Sequence, residues 1–152
     1  MFLTGDFGVK INGNSFILTA PVKELKPGHW VDQGLPFYPG TVTYKTQTVL
    51  EVPGKSAVRI PEYHGTPAEV RINGDLAGMM LFSPGTTGLV EPPENFELKI
   101  TVTGSMRNAC GPFFMKEESS SHYGPVCYKV YERKERRLKP YGLFASPEIL
   151  GK

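Results

Sequence analysis

The chain has 152 residues, of which 39% are hydrophobic and 21% charged, with a formal net charge of +2. At that length one domain can bury roughly 70% of its unfolded surface, so a packed core is expected and global disorder is not indicated. The small net charge gives no argument for nucleic acid, and no apolar run approaches the ~20 residues of a membrane helix.

In chain order, Met1 leads straight into Phe2-Leu3-Thr4-Gly5-Asp6 with no basic n-region. The expectation is no signal peptide and a segment excised from a longer polypeptide. Glycine and proline then fall as punctuation every eight to fifteen residues or so, the spacing of an all-β sandwich or barrel. Val9-Lys10-Ile11 and Phe16-Ile17-Leu18 flank Asn12-Gly13, a strong hairpin signal because both turn residues tolerate positive φ. Between Thr41 and Leu50, the residues Val42, Tyr44, Thr46, Thr48 and Leu50 share one face, with Thr43, Lys45 and Gln47 opposite. Pro53-Gly54 marks a turn; Val58 and Ile60 then flank Arg59, and Val70 and Ile72 flank Arg71 ahead of a second hairpin signal, Asn73-Gly74. After the turn at Pro84-Gly85, Phe96, Leu98, Ile100 and Val102 point one way while Glu97, Lys99 and Thr101 point the other. A period of two with one apolar face means a sheet half-buried against a second sheet. The end of the chain reads as strands Val126–Tyr131 and Leu138–Phe144 joined by a charged hairpin, with a short helix as the alternative. No internal repeat or linker interrupts the pattern, which predicts one all-β domain over residues 1–152.

Chemistry-bearing residues are few. The only tryptophan lies in Gly28-His29-Trp30-Val31-Asp32-Gln33-Gly34-Leu35-Pro36-Phe37-Tyr38-Pro39-Gly40. Aromatic faces there can stack on sugar C–H surfaces while Asp32 and Gln33 bind hydroxyls. The other reading makes the loop a plug, with Trp30 and Phe37 in the core, Asp32 tying down backbone N–H groups, and Tyr38 and Gln33 exposed. Arg107 and Asn108 can contact a ligand, or Arg107 can pair with a carboxylate while Asn108 closes a turn before Gly111-Pro112. Glycosidase chemistry needs two facing carboxylates, and no pair stands out by spacing; Glu51, Glu69 and Glu97 read as outward strand positions. There is no G-x-S-x-G elbow and no phosphate-binding glycine loop, so no catalytic residue is assigned. Cys110 and Cys127 can form a disulfide worth about 3 kcal/mol or remain two thiols. His29, His64 and His122 lack metal-ligand spacing, and no acidic run points to calcium, so no metal or cofactor is assigned. The basic run Arg133, Lys134, Arg136, Arg137 and Lys139 can grip phosphates or form a solvated turn.

The ordered pieces resemble a family. Gly5-Asp6-Phe7-Gly8-Val9 opens a strand, and the stretch from Trp30 to Gly40 runs into Val42-Thr43-Tyr44. Val70-Arg71-Ile72-Asn73-Gly74 supplies a hairpin with Gly78 and Pro84 beyond it. The strand from Phe96 to Val102 runs into Gly104-Ser105-Met106-Arg107-Asn108, and Leu138 to Leu143 closes the chain. This series is similar to the galactose-binding-like jelly roll that accompanies the catalytic domains of β-galactosidases and α-L-rhamnosidases. The resemblance implies a two-sheet antiparallel jelly-roll β-sandwich that is not itself an enzyme. Its implied partner is the catalytic domain of the same polypeptide, with carbohydrate as a second possible partner through Trp30, Asp32, Gln33, Tyr38, Arg107 and Asn108. Nucleic acid and membrane are not expected partners.

Overall fold

A computed structural model describes residues 3, 5–13, 15–50, 54–110 and 138–151. Along the chain lie β1 (Gly8–Asn12), β2 (Ser15–Thr19), β3 (Thr41–Val49), β4 (Ser56–Ile60), β5 (Tyr63–His64), β6 (Ala68–Ile72), β7 (Asp75–Met80), β8 (Gly85–Thr86) and β9 (Asn95–Thr103). A single helical turn, α1 (Arg107–Cys110), precedes β10 (Gly142–Leu143) and β11 (Glu148–Gly151). The protein is all-β and its strand pairs are antiparallel. Among the described residues no helix is long and apolar enough to cross a membrane. By contacts the chain divides into two compact units. One holds Met1–Leu25, Trp30–Pro39 and Met106–Pro140, and the other Lys26–His29, Gly40–Ser105 and Tyr141–Lys152.

The second unit contains the main sheet, in the order β3-β9-β6-β7. Its centre is β9, where Phe96, Leu98, Ile100 and Val102 are all 2% exposed or less. From β6, Val70 pairs with Ile100 and Ile72 with Leu98, so the buried rows continue across the strands. The opposite face carries Glu69–Arg71 and Glu97–Lys99 ion pairs, as the alternation predicts. On β3 the expected inward face is only partly covered: Val42 and Tyr44 are half-buried and Thr46 is exposed. The reason is position, because among the described residues β3 is an edge strand with a neighbour on one side only.

Both ends of β6 are fixed by backbone chemistry. At Asn73-Gly74 the φ angles are 50° and 94°, the left-handed pair a two-residue hairpin needs. Asn73 also clips the turn to β9, its N–H donating to the Glu97 carbonyl and its Oδ1 accepting from the Glu97 N–H, both at 2.9 Å. Ahead of β6, Gly65 lies so close to β9 that a Cβ there would meet Val102 Cγ1 at 2.5 Å and the Thr103 carbonyl oxygen at 2.7 Å.

A three-stranded sheet, β11-β4-β8, buries Val58 and Ile60 and leaves Arg59 to pair with Glu148 at 3.0 Å. A short ladder joins β10 to β5. The strand expected over Leu138–Phe144 contracts to Gly142–Leu143, since Pro140 has no N–H to give to a ladder. In the first unit, β1 and β2 form the expected hairpin, closing with Asn12 opposite Ser15. The expected strand Val126–Tyr131, the hairpin segment 131–137 and the turns at Pro53 and Gly111-Pro112 lie outside the described residues. So do Cys127 and the basic run up to Arg137; Cys110 is exposed at the end of α1.

Candidate functional site

In the first unit, the aromatic loop is built around one turn. The Gln33 and Leu35 N–H groups both donate to the Trp30 carbonyl, at 3.1 and 2.9 Å. The Val9 N–H donates to the Gly34 carbonyl at 2.8 Å and fastens the loop to β1. This backbone network, in place of an Asp32 side-chain tie, holds the segment; Asp32 is exposed. Trp30 is fully buried, which matches the plug reading and leaves its ring without solvent-facing surface. Tyr38 is 37% exposed, and its ring meets Trp30 with centroids 6.1 Å apart. Gln33 is half-buried. Phe37 is half-buried instead of core, because it packs edge-on against Phe16 of the exposed strand β2, with centroids 5.1 Å apart.

Arg107 and Asn108 come from α1. Asn108 is 1% exposed and both ends of its amide are engaged, Nδ2 donating to the Lys139 carbonyl at 2.8 Å and Oδ1 accepting from the Lys139 N–H at 2.7 Å. Asn108 therefore clasps two distant parts of the same unit, a pairing that single-residue turn chemistry could not anticipate, while the turn expected before Gly111 lies outside the described residues. Arg107 is half-buried. Of the six residues singled out in the sequence, Tyr38, Asp32 and Gln33 keep surface for a ligand, with Arg107 partly so.

The second unit carries a feature that period-two reading missed. The pairing of β6 with β7 shifts register between Val70 and Arg71, so that Arg71 faces Leu76 while Glu69 faces Met79. Leu76 and Met79, three residues apart, thereby fall on the same face of the sheet, whereas an unbroken strand would send them to opposite faces. Both are more than half exposed, whereas Met80 is buried on the other face. Leu81 and Phe82 follow, and Phe82 is 81% exposed. Tyr63 braces this segment at two points: its hydroxyl donates to the Met80 carbonyl at 2.8 Å, and its N–H donates to Ser83 Oγ at 3.1 Å. Burial pushes the Tyr63 hydroxyl pKa up, which keeps it a donor. The bulge that aligns Leu76 with Met79 has no local signal in the sequence.

A third cluster joins residues far apart in sequence. His29 and His64 both contact the Phe144 ring, at centroid distances of 4.5 and 4.7 Å, and Glu62 Oε1 lies 3.6 Å from His64 Nε2. Backbone bonds fix the convergence, Gly28 N–H to the Leu143 carbonyl at 2.7 Å and Phe144 N–H to the Glu62 carbonyl at 3.0 Å.

These surfaces present apolar side chains with a little aromatic and polar surface. No family model matches the sequence, and no curated protein matches it. Among solved structures, glycoside hydrolases are similar to this chain. A β-glucuronidase from Faecalibacterium prausnitzii aligns over 90% of this chain and 26% of its own, at 17% identity and a TM-score of 0.48. A GH2 β-galacturonidase from Eisenbergiella tayi aligns over 95% of this chain and 22% of its own, at 16% identity and 0.47. The rhamnosidase of Novosphingobium sp. PP1Y aligns over 94% of this chain with a TM-score of 0.54 and 18% identity. The chain spans 14% of that rhamnosidase's length, and the fold is what the two share.

Proposed function

We propose that the chain is a non-catalytic accessory domain of a glycoside hydrolase, wound as a jelly-roll sandwich, that packs against or shapes the catalytic domain of the same polypeptide. The observation that carries this reading is the alignment of nearly the whole chain with a small fraction of a rhamnosidase. Such coverage is what one module of a multidomain enzyme would give, though likeness of fold does not by itself transmit activity. The apolar side chains displayed by β7 and the segment after it support the reading, because a module lifted from its partner bares the surface it docks with. The test is direct. Purified chain 1–152 is assayed against a panel of aryl-glycosides and on a glycan array. Silence in both is expected, and turnover of any aryl-glycoside would end the non-catalytic reading.

A second reading, an autonomous carbohydrate-binding module, is favoured by the partly exposed Tyr38 ring beside Asp32 and Gln33. It requires array binding that is lost in both Tyr38→Ala and Gln33→Ala.

A further inference from the structure

We infer that the outer edge of β3 is a docking surface for an extended peptide segment of a partner protein, added to the main sheet as a further strand and carrying a carboxylate opposite Lys45. The inference is independent of the accessory-domain reading and concerns the second unit alone.

The backbone of that edge is set up to pair. Gly104 N–H donates to the Gly40 carbonyl at 2.9 Å and Leu50 N–H to the Glu94 carbonyl at 2.8 Å. Thr41–Thr103 and Val49–Asn95, at the two ends of the ladder, are therefore pairs that exchange no hydrogen bonds. Alternation then turns the N–H and C=O groups of Thr43, Lys45 and Gln47 away from β9, while those of Tyr44 and Thr46 are engaged with it. Among the described residues no strand lies on the outer side of β3, and the Gln47 carbonyl is met by the adjacent Thr46 hydroxyl at 3.3 Å. The pairing of β3 with β9 runs its whole length without a shift in register, whereas the other edge strand, β7, is bulged against β6. A long regular edge is what an added strand uses.

Side-chain chemistry says which strand. Lys45 stands opposite Lys99, and Lys99 opposite Arg71, so cations from three strands cross the solvent-facing side of the sheet in one row. Lys99 is compensated by Glu97 at 2.7 Å and Arg71 by Glu69, each carboxylate two residues earlier on the same strand. Lys45 has Thr43 and Gln47 at the equivalent positions, and among the described residues it forms no ion pair. Like charges directly opposite cost stability, and an acidic residue on the far side of Lys45 offsets that cost. On the inner face Val42 and Tyr44 are half-buried and Thr46 is exposed, so the residues flanking the acid cover them best when apolar.

Other occupants fit less well. The register that pairs every residue of β3 with a second copy of the strand sets the two Lys45 side chains opposite each other. A saccharide has no backbone ladder to match groups presented at every second residue. Nucleic acid finds two cations of the row already paired with carboxylates.

The test uses the peptide Val-Thr-Val-Glu-Val-Thr-Val, with a serine–glycine tail for solubility, and reads amide hydrogen exchange of chain 1–152 residue by residue. Binding is expected to slow exchange several-fold at Thr43, Lys45 and Gln47 and to leave Tyr44 and Thr46, already bonded to β9, unchanged. The same peptide with lysine in place of its glutamate should bind several-fold more weakly. Lys45→Glu should reverse that order, while Lys10→Glu, an equal change of charge at an exposed site of β1, should not. No protection at millimolar peptide, protection that spares β3, or an order unchanged by Lys45→Glu overturns the inference. Equal affinity of the two peptides for the parent chain also overturns it, and that comparison needs no variant to fold. Protection that grows with the concentration of the chain alone assigns the edge to self-association and overturns the proposed occupant.

Discussion

Strands β9 and β2 are both rich in apolar residues and meet opposite fates. In β9, Phe96, Leu98, Ile100 and Val102 occupy alternate positions, neighbours flank the strand on both sides, and all four are buried. In β2, Phe16, Ile17 and Leu18 are consecutive, β1 is the only strand neighbour among the described residues, and every residue of the strand is exposed. The difference lies in pattern and neighbours, since hydrophobic content is similar. Alternation selects one face and lets a second layer cover it. A consecutive run puts apolar groups on both faces of a two-stranded ribbon, which by itself buries neither.

The sharpest way to break this comparison is Leu98→Ala. It should cost about 2–5 kcal/mol, the usual toll of truncating a buried aliphatic side chain. Its neighbour Lys99→Ala loses only a partly exposed ion pair with Glu97 and should cost no more than ~1 kcal/mol. Equal urea midpoints for the two variants would mean the strand faces are misassigned. In the first unit, Asn108→Ala removes both bonds between its amide and the Lys139 N–H and carbonyl and should cost about 1–3 kcal/mol. A neutral result would show that the clasp does not hold that unit together. Gly74→Val forces a β-branched residue to a φ of 94° and should cost about 1–2 kcal/mol, although a Cβ there meets nothing within 4 Å. A variant as stable as the parent in thermal unfolding would remove the argument from turn geometry. The smallest effect is expected from Leu18→Ala in β2, within ~0.5 kcal/mol, because its side chain is already half in water. A loss as large as that of Leu98→Ala would erase the distinction between the strands.

Much of the main sheet was legible in the residues. The alternation from Phe96 to Val102, the flanking of Arg71 by Val70 and Ile72, and the Asn73-Gly74 turn each have a local cause, and each is found in place. What escaped depends on distant partners. That Val42 would be only half covered follows from β3 being an edge, which no local pattern reveals. The clasp of Asn108 on Lys139 and the meeting of His29 and His64 at Phe144 join segments tens of residues apart. Leu76 and Met79 share a face only because of a one-residue shift in register. In the aromatic loop, composition located the plug at Trp30, but it could not tell that Phe37 would lean on an exposed strand.

The most direct test of the account compares the urea unfolding midpoint of chain 1–152 carrying Leu98→Ala, in the buried row of β9, with that of the chain carrying Phe82→Ser, whose ring is 81% exposed. The expected result is a loss of about 2–5 kcal/mol for Leu98→Ala and a change within ~0.5 kcal/mol for Phe82→Ser. Equal losses in the two variants would contradict it.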